Sequence, residues 1–195
     1  MFILILKFFL AFLLGALAFT PWDILLVRFE IVEYSHPLLW GVSSWTPLIF
    51  GVVTLLAVGL CKLIDRLMET QAPYSPGYLL YEYLVLSAIF TLILLFRTYP
   101  YILSLSLGGL VLARLIIFHR KGDFLFFLIG ACVGPTVELF LTGFKVYLFT
   151  EPDFLGMPYW LPLLWGSVAL SLRRLSWALF PLAPAQRSAY SIKLK

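Results

Sequence analysis

Long apolar stretches separated by short polar breaks run along nearly the whole chain. A helix needs about 20 apolar residues to cross about 30 Å of hydrocarbon. Six stretches meet or approach that length: residues 3–20, 38–61, 78–98, 101–118, 124–149 and 156–178. The last is the shortest in charge-free length. Only "YWLPLLWGSVALSL" precedes Arg173 and Arg174, and at about 1.5 Å per residue it reaches about 21 Å. A start near Phe154, with both arginines snorkelling to the headgroups, closes the gap. The longest breaks are "PWDILLVRFEIVEYSH" (21–36) and "DRLMETQAPYSPG" (65–77). The first alternates apolar and charged residues and is expected along the membrane interface. No fixed-period repeat or low-complexity tract divides the chain. The pattern predicts an all-α polytopic membrane protein with six transmembrane helices in one domain, residues 1–195.

Composition agrees. The chain is 62% hydrophobic and 12% charged, against about 45–50% and about 25% for a soluble domain. Its 195 residues could not hide that apolar surface in one globule, so it is read as integral to a membrane. That membrane is the endoplasmic reticulum in a eukaryote and the inner or plasma membrane in a prokaryote. The first apolar run is read as a retained helix rather than a cleaved signal, because it continues a series of similar spans.

The net charge of +4 orients such a chain rather than suggesting nucleic acid. With six spans, Lys7, Lys62, Arg66, Arg114, Arg120, Lys121, Arg173, Arg174, Arg187, Lys193 and Lys195 share one face. Arg28, Arg97 and Lys145 lie on the other, with Asp23, Glu30, Glu33, Glu151 and Asp153. Eleven cations against three place both termini in the cytoplasm. Trp22, Trp40, Trp45, Tyr74, Tyr78, Tyr99, Tyr101, Tyr159, Trp160 and Trp177 fall near the expected interfaces, where amphipathic rings settle.

Small and polar residues inside spans face neighbouring helices or a cavity. Ser44, Pro47, Gly51 and Thr54 form one face of the second span, and Ser104 and Gly108, beside Gly109, mark one of the fourth. Either face suits close helix packing or a pocket wall. In the fifth span Ala131, Pro135, Glu138, Thr142 and Lys145 form a stripe, and Gly134-Pro135 is expected to kink the helix. Glu138 falls near mid-span, where a carboxylate faces the bundle or water and marks function. It suits a polar anchor for a ligand, a structural hydrogen bond or a proton-transfer group. Glu82 is expected in the first turn of the third span, where a carboxylate suits a helix N-terminus.

No HExxH, GxSxG, paired-acid motif, histidine box or phosphate loop is present. His36 and His119 lack partners for a triad or a metal. Cys61 and Cys132 are far apart in apolar runs and imply neither a disulfide framework nor a zinc site. No catalytic residue, metal or cofactor is therefore assigned. "TEPDFLGMP" (150–158) reads as a rigid turn joining the last two spans, or as a lid over a cavity mouth.

The order of these features resembles the Insig (insulin-induced gene protein) family. "SSWTPLIFGVVTLLAVGLCKLIDRLM" (43–68) is similar to its second span, through Ser43, Ser44, Trp45, Pro47, Gly51, Gly59 and Asp65. "ELFLTGFKVYLFTEPDFLGMPYWLPLLWG" (138–166) is more similar still, through Gly143, Tyr147, Pro152, Asp153, Phe154, Trp160, Leu161 and Pro162. The resemblance covers about residues 8–175. It implies a six-span, non-enzymatic regulator of lipid or sterol homeostasis. Animal members retain a sterol-sensing escort protein, and bacterial relatives hold a lipid such as diacylglycerol in a central cavity. This chain has His119 where the family carries an aspartate, with Asp123 displaced, and Ile102 where it carries a glutamine. The lipid cavity is thus the property that the resemblance passes on.

The expected function is to bind a sterol or a diacylglycerol-like lipid in a cavity between the second and fifth spans. Ser44, Trp45, Thr54, Glu138 and Thr142 would supply polar contacts, and Phe140 and Phe144 would pack on apolar tails. The alternatives are a small membrane enzyme acting on an isoprenoid or lipid through Glu138, and a scaffold that packs another membrane protein on its Gly and Ser faces.

Overall fold

The computed structural model describes residues 2–38, 40–70 and 76–181. In order these form α1 (Phe2–Arg28), β1 (Val32–Tyr34), α2 (Thr46–Leu67), α3 (Pro76–Phe96), α4 (Pro100–Ile117), α5 (Asp123–Gly143), β2 (Tyr147–Phe149) and α6 (Leu161–Leu179). Tyr74 and the tail cations Arg187, Lys193 and Lys195 lie outside the described residues. All the helices except α6 are long and apolar enough to cross a membrane.

α6 is the centre of the bundle. It packs against each of the other five helices. Leu161, Leu164, Val168 and Leu172 join the main core, while Ser167, Ser171, Arg173, Arg174 and Trp177 are also buried. A helix surrounded by protein need not dissolve in lipid, and its polar groups find partners on the neighbours. That is why the least apolar helix sits innermost. The expectation that Arg173 and Arg174 snorkel to the surface is overturned: they are 0% and 6% exposed. Trp160 and Trp177, expected at the interface, are core residues for the same reason.

The element boundaries depart from the apolar pattern at the end of the bundle where α1 finishes. α1 does not stop at residue 20 but continues through Pro21 to Arg28. The interfacial segment expected over 21–36 is instead the end of α1 followed by β1. β1 pairs antiparallel with β2, with Val32 opposite Phe149 and Tyr34 opposite Tyr147. The fifth span therefore does not reach residue 149. Phe144 caps α5, Lys145 takes φ +56°, and the chain turns into β2. α2 starts at Thr46 rather than 38 because Trp40 and Gly41 hold positive φ, while Pro47 suits the first helical turn. α6 starts at Leu161 rather than 156. Leu155 and Gly156, at φ +50° and +79°, form a tight turn closed by backbone bonds of 2.9 Å in both directions between Phe154 and Met157. Two consecutive positive φ values define a type I′ turn.

Small residues set two close helix contacts. A Cβ on Gly15 of α1 would lie 2.2 Å from Thr54 Oγ1 of α2, and one on Gly51 would lie 2.5 Å from the Phe12 ring. A Cβ on Gly134 of α5 would meet Trp165 Cγ at 2.1 Å, and one on Gly130 would meet Ala169 Cβ at 2.5 Å. Gly51 and Thr54 thus serve helix packing, as their spacing allowed. Gly108 and Gly109 do not: a Cβ there would meet nothing within 4 Å.

Candidate functional site

α2 and α5 both pack on α6, and a cavity of about 290 Å³ lies between them. α6 forms its back wall through Leu164, Trp165, Val168 and Leu172, and α1 and the β1–β2 ribbon close one end. Phe50, Ala57, Phe126 and Ile129 continue the apolar lining. Ile49, Val53, Leu60, Val133 and Val137 line it and are themselves exposed, so it opens sideways between α2 and α5. In a bilayer that opening faces acyl chains. An apolar site with a few placed polar groups is the usual form of a small-molecule pocket.

The polar groups gather near the ribbon. Tyr34 Oη donates to Asp23 Oδ2 at 2.6 Å, and both residues are buried and line the cavity. Burial and the Asp23 carboxylate push the Tyr34 phenol well above its ordinary pKa, so it stays protonated. Trp165 Nε1 donates to Glu138 Oε1 at 3.1 Å. The other oxygen, Glu138 Oε2, is buried without a hydrogen-bond partner among the described residues. A buried carboxyl group therefore presents one oxygen without a protein partner at a mostly apolar cavity.

Of the residues expected at this site, Trp45, Thr54 and Glu138 line the cavity. The other four do not. Ser44 is exposed in the turn before α2, and Phe140 and Phe144 are 63% and 79% exposed. They fall on the opposite face of α5 because their spacing from Glu138 turns them outward. Thr142 Oγ1 donates back to Glu138 O at 2.9 Å, inside its own helix. Asp23 and Tyr34 were missed. Their signal was an acid in the continuation of α1 and a tyrosine in an alternating segment. Neither identifies a site until β1 folds beneath the bundle.

A second polar constellation lies at the far end of the bundle. Asp65 of α2 accepts from Arg173 Nε at 3.0 Å and Nη2 at 2.6 Å, from Thr70 Oγ1 at 2.6 Å and from Trp177 Nε1 at 2.6 Å. Asp123, at the start of α5, receives Arg173 Nη1 at 2.6 Å and Arg174 Nη2 at 2.5 Å. Glu82 of α3 pairs with Arg114 of α4 and accepts from Ser171 Oγ at 2.7 Å. Glu82 is buried in the second turn of α3, so its expected role as a surface helix-terminal charge is replaced by an ion pair. Three carboxylates and three guanidiniums thus neutralise one another inside the protein. They tie α2, α3, α4 and α5 to α6. The burial is tolerated because each charge has both a counter-ion and hydrogen bonds. Among the described residues, no group of His, Cys, Asp and Glu could hold a metal ion.

The chain is an integral membrane protein, and its fold is similar to that of a solved Insig homologue. A crystal structure of the mycobacterial Insig homologue MvINS from Mycobacterium vanbaalenii is similar at TM-score 0.76 and 17% identity, covering 91% of this chain and 96% of that one. A cross-linked trimer of a cysteine variant of MvINS is similar at TM-score 0.73 and 21% identity, covering 91% and 97%. No protein-family model and no curated protein matches the chain.

Proposed function

We propose that the protein is a non-catalytic lipid-binding membrane protein that holds one sterol or diacylglycerol-like molecule between α2 and α5. In this reading it is a single membrane domain of six spans, with both termini cytoplasmic, and its occupancy couples to lipid or sterol homeostasis. The observation that carries the proposal is the unpaired Glu138 Oε2 on the wall of an apolar, laterally open cavity. A hydroxyl, which can both donate and accept, is the natural complement to a partnerless carboxyl oxygen, and acyl chains or a ring system complement Phe50, Val53 and Val133. The opening lets a lipid enter from the bilayer without crossing water. The test is native mass spectrometry of protein purified in mild detergent. A retained lipid carrying a free hydroxyl, lost in Glu138→Leu, is expected. No retained lipid, with Glu138→Leu unchanged in stability, would sink the proposal.

A second reading, self-association or scaffolding of another membrane protein, is favoured by the open faces at Gly108 and Gly109. The similar MvINS variant was crystallised as a cross-linked trimer. Mass photometry of the purified chain distinguishes a monomer from an oligomer.

A further inference from the structure

A cavity of about 190 Å³ lies beside the ion network, at the end of the bundle opposite the ribbon. That is far above the about 10–15 Å³ that seats one water. Its character is the reverse of the apolar cavity. Arg114, Arg120 and Arg174 bring three guanidiniums to its wall, of which Arg114 is paired with Glu82 and Arg174 with Asp123, and Tyr78 and Tyr81 add phenols. Glu82 Oε2 is already engaged by Arg114 and Ser171 Oγ, so its charge is largely compensated.

Arg174 is the decisive residue. It is 6% exposed. Its Nη2 is fixed by Asp123 Oδ2 at 2.5 Å, and its guanidinium lies 4.2 Å from the Trp177 ring centroid. Its Nη1 is buried and has no hydrogen-bond partner among the described residues. A buried guanidinium N–H without an acceptor is costly. Here it belongs to a side chain held by Asp123 through its other terminal nitrogen, and it lines a cavity that also holds the exposed guanidinium of Arg120. Arg120, exposed at the rim, donates to Tyr78 Oη and brings a second guanidinium beside that of Arg174.

We propose that this cavity binds a phosphate group, supplied by an anionic phospholipid headgroup or by a soluble phosphate ester. The partnerless Nη1 of Arg174 and the exposed guanidinium of Arg120 offer charged donors to the oxygens of a phosphate. The site stands apart from the apolar cavity and does not depend on what occupies it.

The experiment uses the full chain in two settings. In detergent, inorganic phosphate is titrated and the thermal midpoint is followed. In nanodiscs of phosphatidylcholine doped with phosphatidic acid, retained lipid is counted by native mass spectrometry. Arg120→Glu reverses the rim charge and keeps the backbone bond from residue 120 to Asp123 Oδ2, so it is expected to fold. Arg174→Lys keeps the charge but removes the second donor edge. Phosphatidic acid is expected to stay bound at one per chain in the native protein and to be lost from Arg120→Glu, while Glu138→Leu retains it. Stabilisation by inorganic phosphate as well points to a soluble ester, and stabilisation by phosphatidic acid alone points to a headgroup. The proposal is overturned if neither phosphate nor phosphatidic acid binds, or if Arg120→Glu binds them as the native chain does.

Discussion

Arg173 Nη2 lies 2.6 Å from Asp65 Oδ1, and neither side chain has exposed surface. The two residues are 108 positions apart. Their pairing joins the end of α2 to the central helix, and Asp123 extends it to α5. Removing one member of a buried pair leaves an uncompensated charge, at about 3–5 kcal/mol. Arg173→Met should therefore lower stability by about that much, because it leaves Asp65 without a counter-ion, while Asp123 keeps Arg174. Equilibrium unfolding in mixed micelles measures it. A change within about 0.5 kcal/mol, the size of an ordinary surface substitution, would show that the network contributes nothing.

Tyr34 and Asp23 supply a pH-dependent prediction. The Tyr34 phenol titrates above its ordinary value in the folded state because of burial and the Asp23 carboxylate. A raised folded-state pKa means that this contribution is full below the unfolded value of about 10 and is lost as pH rises from there towards the folded value. Stability of the native chain should fall more steeply above about pH 10 than that of Tyr34→Phe. Parallel pH–stability curves would contradict this. Below that range Tyr34→Phe should be less stable by about 1.5–3 kcal/mol, since Asp23 loses a buried donor.

Glycine substitutions separate tight contacts from open ones. Gly134→Ala must displace Trp165, whose Cγ would be 2.1 Å from the new Cβ. Overpacking of this kind costs about 1–3 kcal/mol. Trp165 also donates to Glu138, so lipid retention should fall together with the thermal midpoint. Gly108→Ala meets nothing within 4 Å and should leave monomer stability unchanged or slightly raised. If it instead abolishes an oligomer seen by mass photometry, that face is an interface.

Glu138→Gln tests the free acceptor more gently than Glu138→Leu. The amide oxygen can still accept from Trp165, so the fold should hold. The amide nitrogen can only donate, so the acceptor capacity of the partnerless carboxyl oxygen is removed from the cavity wall. Retention of a hydroxyl-bearing lipid should drop while the thermal midpoint of the emptied protein stays put. Equal retention by both forms would move the ligand's polar contact away from Glu138.

Topology is checked by terminal fusions in a bacterial host. Green fluorescent protein at either end should fluoresce, and alkaline phosphatase at either end should be inactive, if both termini are cytoplasmic. An active phosphatase at the C-terminus would mean that α6 does not cross.

The sequence by itself determined that the chain dissolves in a membrane, that it forms apolar helices in a fixed order, and that Glu138 is anomalous. Those properties are local, since the cost of a residue in lipid and the period of a helix are legible within one stretch. Trp45, Thr54 and Glu138 could be placed on a cavity between α2 and α5 on that basis. Phe140 and Phe144 could have been excluded from it by helical spacing alone, because two and six residues on from Glu138 lie off its face. The tertiary structure alone decided that α6 is central, that Arg173 and Arg174 face inward, and that Tyr34 folds under the bundle onto Asp23. Each of these depends on a partner in another element. Hydropathy counts Arg173 as a charge to be kept in water, because the carboxylates of Asp65 and Asp123 that neutralise it come from helices distant in sequence.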